Sequence, residues 1–148
     1  MVRIDEALVG VSRLFLDTAP VIYQVERIPH FMDVIDPIFD RLDRDITSVI
    51  SPVTLAECLG AAIRLNLVTL EQTYLNLLDR KDVIFVETTL AIARETARIR
   101  FKYNFLQLAD ALQVATALQS GCEAFLTNNA QLKQVKELRM LVVKEMQV

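Results

Sequence analysis

Three acidic residues stand apart from all other charge in this chain. Asp17 is the only charged residue between Arg13 and Glu26, Glu57 the only one between Asp45 and Arg64, and Asp110 the only one between Lys102 and Glu123. A carboxylate inside an apolar segment is costly to bury unless a proton, a hydrogen-bond donor or a cation neutralises it. Two carboxylates about 6 Å apart repel by roughly 3 kcal/mol at an effective dielectric of about 20, and a third adds to this. If the three converge, they form an all-oxygen ligand set with no His or Cys near in sequence, which suits a hard ion, Mg²⁺ or Mn²⁺, better than Zn²⁺. Each acid taken singly also has a structural role open to it. Asp17 can cap the helix that follows it, Glu57 can close a capping box with Thr54, and Asp110 can meet a helix dipole. Shared placement on one edge is what these separate roles leave unexplained.

That placement depends on the elements around the acids. Short β-branched or aromatic runs at Arg13–Leu16, Ile46–Ile50, Val83–Val86, Ala124–Leu126 and Met140–Val143 predict buried strands. Helical patterns fall between them, at Pro20–Val25, Phe31–Arg44, Val53–Leu65, Thr69–Arg80, Thr89–Phe101, Gln107–Ser120 and Asn129–Lys136, with Gly121 as a stop signal. The alternation predicts an α/β fold of three layers, with a central, mainly parallel five-stranded sheet flanked by helices. In that arrangement Asp17 ends the first strand and Glu57 lies early in the helix after the second. Asp110 starts a helix running antiparallel to the strands, and Asn128 and Asn129 leave the fourth strand. All then share the carboxyl edge, where open α/β sheets build sites.

The composition narrows the possible functions. A chain of 148 residues fits a single domain over 1–148, able to bury roughly 68–70% of its unfolded surface. The hydrophobic content of 53%, with Gly 3 and Pro 4, predicts a packed core without linkers. Asp5 and Glu6 disfavour a signal peptide, and no stretch is apolar and long enough to span a membrane. Cys58 and Cys122 lie far apart without a CxxC, and His30 is the only histidine, which predicts a cytoplasmic protein without a zinc site. A net charge of −3 and a pI near 5.2 argue against broad electrostatic attraction to nucleic acid, so any such chemistry must be local. No GxGxxG or P-loop is present, which removes nucleotide-phosphate cradles. No second Asp follows Asp17 in a DxD pattern and no acidic doublet precedes the end of the first strand, which counts against phosphatases and receiver domains.

The same residues carry a family resemblance. Phe15-Leu16-Asp17-Thr18, Ser51-Pro52-Val53-Thr54-Leu55-Ala56-Glu57, Asp110-Ala111-Leu112-Gln113-Val114-Ala115-Thr116-Ala117 and Phe125-Leu126-Thr127-Asn128-Asn129 resemble, in order, the four motifs of PIN domains, especially the VapC-type toxins of toxin–antitoxin pairs. The resemblance implies a PIN fold, metal-dependent ribonuclease activity on RNA, dimerisation, and inhibition by an antitoxin protein. On this chain it implies that Asp17 and Asp110 bind the metal, that Glu57 completes the acidic site or orients water, and that Thr127 supports it. Cleavage would leave a 5′-phosphate and a 3′-hydroxyl. Two positions depart from the pattern. Asn129 stands where the family usually has a fourth Asp, and its amide oxygen can still ligate but brings no charge. Gln113 stands in place of a frequent His.

Candidates for touching the substrate are Arg64, two turns beyond Glu57, and the basic stretch Arg94, Arg98, Arg100, Lys102 with Tyr103, which could track a backbone and stack a base. An exposed helix face explains them as well. His30 reads as a solvent-exposed or capping residue, Cys58 and Cys122 as buried thiols, and Tyr74, Leu75, Leu77 and Leu78 as a core stripe, part of which could belong to an interface. The leading expectation is a Mg²⁺- or Mn²⁺-dependent endoribonuclease toxin. The alternative is a catalytically weakened PIN-fold module that binds RNA or a partner protein.

Overall fold

The computed structural model describes residues 1–42 and 44–148. The chain order is β1 (Val2–Arg3), α1 (Ile4–Ala7), β2 (Arg13–Leu16), α2 (Thr18–Val25), α3 (Met32–Leu42), β3 (Thr47–Ile50), α4 (Pro52–Arg64), α5 (Val68–Leu75), β4 (Val83–Phe85), α6 (Leu90–Lys102), α7 (Leu108–Gln119), β5 (Ala124–Thr127), β6 (Arg139–Val142) and β7 (Met146–Gln147). Strands β4-β3-β2-β5-β6 form the expected five-stranded sheet, and every pairing in it is parallel.

Side-chain alternation along the strands divides the core in two. Leu14 and Leu16 of β2, Ile50 of β3 and Ala124 and Leu126 of β5 face a cluster covered by Val21, Ile35, Ile38, Cys58 and Tyr74 from α2 to α5. Phe15, Val49 and Phe125 point the other way, onto Ile99 of α6 and Ala111, Val114 and Ala117 of α7. Phe15 and Phe125 stack with ring centroids 4.9 Å apart. A strand buried on both faces needs apolar residues at every position, which is why these runs are continuous rather than alternating. Among the described residues no helix is long and apolar enough to cross a membrane.

Several boundaries differ from the sequence reading. The expected helix Pro20–Val25 begins at Thr18, capped by Asp17. The expected helix Phe31–Arg44 is observed as α3, which runs through Pro37 on buried Ile35, Ile38 and Leu42; position 43 lies outside the described residues. The helix expected over Thr69–Arg80 ends at Leu75 and tightens into a 3₁₀ turn, Asn76–Asp79. The helix expected over Asn129–Lys136 is a 3₁₀ segment, Ala130–Gln134. Only Leu132 and Val135 reach the core there, and their three-residue spacing matches the 3₁₀ repeat. The parallel pair β1–β7 and the short α1 were not anticipated, because neither strand exceeds two residues. Gly121 does stop α7. At φ +71° its N–H bonds Leu118 O and that of Cys122 bonds Ala117 O, the paired contacts of a Schellman motif.

Candidate active site

The strand order reverses beside β2: the chain moves from β2 through β3 to β4 on one side, and from β5 to β6 on the other. The crevice beyond the carboxyl ends of β2 and β5 is therefore the topological switch point. Asp17 sits at its mouth. Its backbone N–H donates to Leu126 O at 2.9 Å, which ties it to the end of β5. Its Oδ1 accepts from Thr18 N at 2.8 Å and its Oδ2 from the hydroxyl of buried Thr127 at 2.7 Å. Asp17 thus caps α2, as its structural role required, and also presents a fixed carboxylate to the crevice.

Glu57 arrives from the second turn of α4. That helix begins one turn earlier than the Thr54/Glu57 capping box assumes. Ser51 is the cap, Pro52 takes the first helical position, and the box is closed by Ser51 and Thr54. Glu57 is thereby released from capping. It is solvent-exposed, and its Oε1 accepts from the Thr18 hydroxyl at 2.6 Å. Asp110 is the third residue of α7 and partly buried. It combines a first-turn position with a place in the crevice.

The three acids act on one another electrostatically. Burial pushes Asp17 above the ordinary 3.8. The hydrogen bonds from Thr127 and from Thr18 N pull it down, the charge of Glu57 pushes it up, and the nearby Gln113 amide pulls it down slightly without reversing the shift. Asp110 is raised first by burial, then by the charges of Asp17 and Glu57. Among the described residues every ion pair joins other acids, so no Lys or Arg neutralises these three. No three His, Cys, Asp or Glu side chains among the described residues are gathered tightly enough to form a ready-made metal cage. The donor set fits a hard divalent ion in atom type and charge: oxygen only, mutually repelling, without a basic partner.

The other anticipated residues divide. Thr127 supports Asp17 directly and also accepts Asn129 N at 3.0 Å. Asn128 serves the scaffold, donating to the Tyr23 hydroxyl at 3.0 Å and accepting Lys144 N at 2.9 Å. Asn129 is exposed, and its Oδ1 caps the following 3₁₀ segment by accepting Gln131 N at 3.1 Å. Arg64 lies in the last turn of α4, about 10 Å of helix rise beyond Glu57 and thus displaced from the crevice. Arg98 pairs with Glu95 at 3.1 Å and Lys102 with Glu137 at 3.1 Å, while Arg100 donates to Leu106 O at 3.4 Å. Tyr103 also binds Glu137, so the basic stretch is engaged with its own surroundings. His30 is exposed against Phe31. Cys58 and Cys122 are buried, and burial pushes both thiols up to about 12, which makes them poor nucleophiles.

Four polar residues escaped the sequence reading as parts of the site: Thr18, Ser51, Thr54 and Gln113. Spacing carried a signal for two of them. Gln113 follows Asp110 by three residues and Thr54 precedes Glu57 by three, so each shares a helix face with a candidate acid. Gln113 is also the one amide in the apolar run Ala111–Ala117.

Known structures share this fold. VapBC2 from Rickettsia felis bound to a promoter DNA fragment aligns with a TM-score of 0.72 at 17% identity, covering 88% of this chain and 98% of that one. A toxin–antitoxin complex from Klebsiella pneumoniae aligns at 0.67 and 22% identity, covering 89% and 98%. Mycobacterium tuberculosis VapC20, described as a Sarcin-Ricin loop cleaving toxin, aligns at 0.71 and 10% identity, covering 85% and 97%. Among curated proteins none matches the chain significantly. The PIN domain model matches residues 14–138, from the start of β2 to the threshold of β6, and this chain belongs to the PIN domain family.

Proposed function

We propose that this chain is a divalent-metal-dependent endoribonuclease and the toxin of a toxin–antitoxin pair, with residues 1–148 forming one catalytic unit. The observation that carries the reading is the coupling of Asp17, Glu57 and Asp110 at the switch point without a basic partner. These three acids, with the amide oxygen of Asn129 as a neutral fourth ligand, would hold Mg²⁺ or Mn²⁺. A bound ion there supplies a lowered pKa for water and compensates charge at a phosphodiester. The chain's own residues do the positioning. Thr127 and Thr18 N hold the Asp17 carboxylate, and the Thr18 hydroxyl holds Glu57, which is exposed and free at its other oxygen to orient a water. Cleavage would leave a 5′-phosphate and a 3′-hydroxyl. Relatives that are toxin–antitoxin complexes support an antitoxin protein as partner, and a cytoplasmic homodimer is the assembly we expect.

Purified protein is expected to cut RNA only with added Mg²⁺ or Mn²⁺, and Asp17→Asn to abolish the cutting. Cleavage retained by that variant, with contaminating nuclease excluded, would remove Asp17 from the site.

Asn129 favours a second reading, a weakened enzyme whose main role is to bind RNA or a partner protein. Its side-chain oxygen already accepts Gln131 N with one lone pair, and it adds no charge to the ligand set. Asn129→Asp keeps the cap, since Asp caps as well as Asn. A gain in Mn²⁺ affinity and cleavage in that variant would support the weakened site, and no change would refute it.

A further inference from the structure

Gln113 is a primary amide only 2% exposed, in a helix segment otherwise built from Ala, Leu, Val and Thr. A buried amide needs partners for both ends, and this one has them. Its Oε1 accepts the Ser51 hydroxyl and lies 3.3 Å from the Thr54 hydroxyl. Its Nε2 donates to Thr54 Oγ1 at 3.0 Å.

The direction of every bond follows from chemistry. A hydroxyl oxygen that already accepts two N–H groups has only its proton to offer, so the amide oxygen must face Ser51 and the amide N–H must face Thr54. Ser51 Oγ already accepts Val53 N and Thr54 N at the start of α4, which leaves its proton free to go to Gln113. Thr54 Oγ1 accepts an amide proton and sends its own proton to Leu16 O, 3.3 Å away. The chain runs one way: Ser51 to Gln113, Gln113 to Thr54, Thr54 to Leu16. One side chain of α7, the helix of Asp110, is thus joined to the start of α4, which carries Glu57, and to the end of β2, which carries Asp17.

We propose that Gln113 is a positioning residue of the ion site: through Thr54 and Leu16 its buried amide fixes the end of β2 that carries Asp17, and it locks the three acid-bearing elements in register. The proposal rests on Asp17, Glu57 and Asp110 holding a divalent ion. Groups that orient metal ligands from behind typically cost about 10–100-fold in affinity or activity when removed.

The test is Gln113→Met, which keeps an unbranched side chain of similar length and deletes both hydrogen-bonding ends. Three quantities are measured on the full chain: the thermal midpoint, Mn²⁺ affinity by calorimetry, and kcat and KM for RNA cleavage. The expected result is a folded variant with Mn²⁺ affinity and kcat each reduced about tenfold or more and KM within about threefold of the parent. A folded Gln113→Met that binds Mn²⁺ as the parent does overturns the proposal and leaves Gln113 as core packing. Should that variant not fold, Thr54→Val removes the hydroxyl that anchors the amide at nearly constant shape. Weaker Mn²⁺ binding in it supports the proposal, and parental binding overturns it. Asp17→Asn separates the two levels of failure. If it loses Mn²⁺ while Gln113→Met does not, only the positioning role falls; if it too binds as the parent does, the ion site itself falls.

Discussion

Glu123 precedes β5 at the amino edge of the sheet, and Asp17 follows β2 at the carboxyl edge. Each carboxylate bridges the same two neighbouring strands, and each gathers nearby donors. Glu123 accepts Ser12 N at 3.0 Å and Arg13 N at 2.7 Å on one oxygen, and the Ser12 hydroxyl at 3.0 Å on the other. Burial pushes it up, but the bonds from Arg13 and Ser12 outweigh this and hold it below the ordinary 4.5. Asp17 accepts two, from Thr18 N and the Thr127 hydroxyl, and its balance goes the other way, because it is more deeply placed and faces Glu57. Donors alone therefore do not set Asp17 apart from Glu123. The presence of further acids, without a base to answer them, does.

The largest expected break in this comparison is Asp17→Asn. It should lower RNA cleavage by about 100-fold or more and abolish the rise in thermal midpoint that saturating Mn²⁺ gives the parent. The ion-free variant should be at least as stable as the parent, since Asn keeps the cap of α2 and removes a repelled charge. Its opposite is Glu123→Ala, expected to cost about 1 kcal/mol by urea denaturation, a value discounted for the exposure of that residue, with cleavage within about twofold.

The pH dependence of stability without metal should sharpen the contrast. Glu123, held below 4.5, contributes stability that is present above its unfolded value and lost as pH falls through its lower folded one. Asp17 and Asp110, raised above 3.8, contribute in the opposite sense: stability present below 3.8 is lost as pH rises through their folded values. Urea midpoints against pH should lose the acid-side decline in Glu123→Ala and part of the rise-side decline in Asp17→Asn. Parallel profiles for parent and both variants would contradict these assignments. The smallest effect is expected from Arg98→Ala, where an exposed helix pair with Glu95 is removed. The thermal midpoint should stay within about 2 °C and cleavage within about twofold; a large loss of cleavage would return Arg98 to the substrate path.

How much of this was legible depended on whether a residue's role is local. Strands β2, β3 and β5 were readable because burial on both faces demands largely apolar runs, and the partly exposed edge strands β4 and β6 because each is still a short apolar run. The β1–β7 pair was not, because two-residue strands have no period to detect and exist only through each other. The 3₁₀ segment Ala130–Gln134 was misread as a helix because two core contacts three residues apart satisfy either pattern. The capping box was placed one turn late because Thr54 and Glu57 have the right spacing, and only the turn leaving β3 makes Ser51 the cap of the helix.

The sequence by itself determined the alternation of the five sheet strands with the main helices, the isolation of Asp17, Glu57 and Asp110 from other charge, and the edge on which all three fall. These are local facts of hydrophobic period and charge spacing. Only the tertiary structure decided what each acid meets. Thr127 reaches Asp17 across 110 positions, Thr18 reaches Glu57 across 39, and Ser51 reaches Gln113 across 62. Such partners are set by which strand lies beside which. A hydrogen bond spanning a fold has no spacing rule, so the network that orients the acids became visible only when β2, α4 and α7 were packed together.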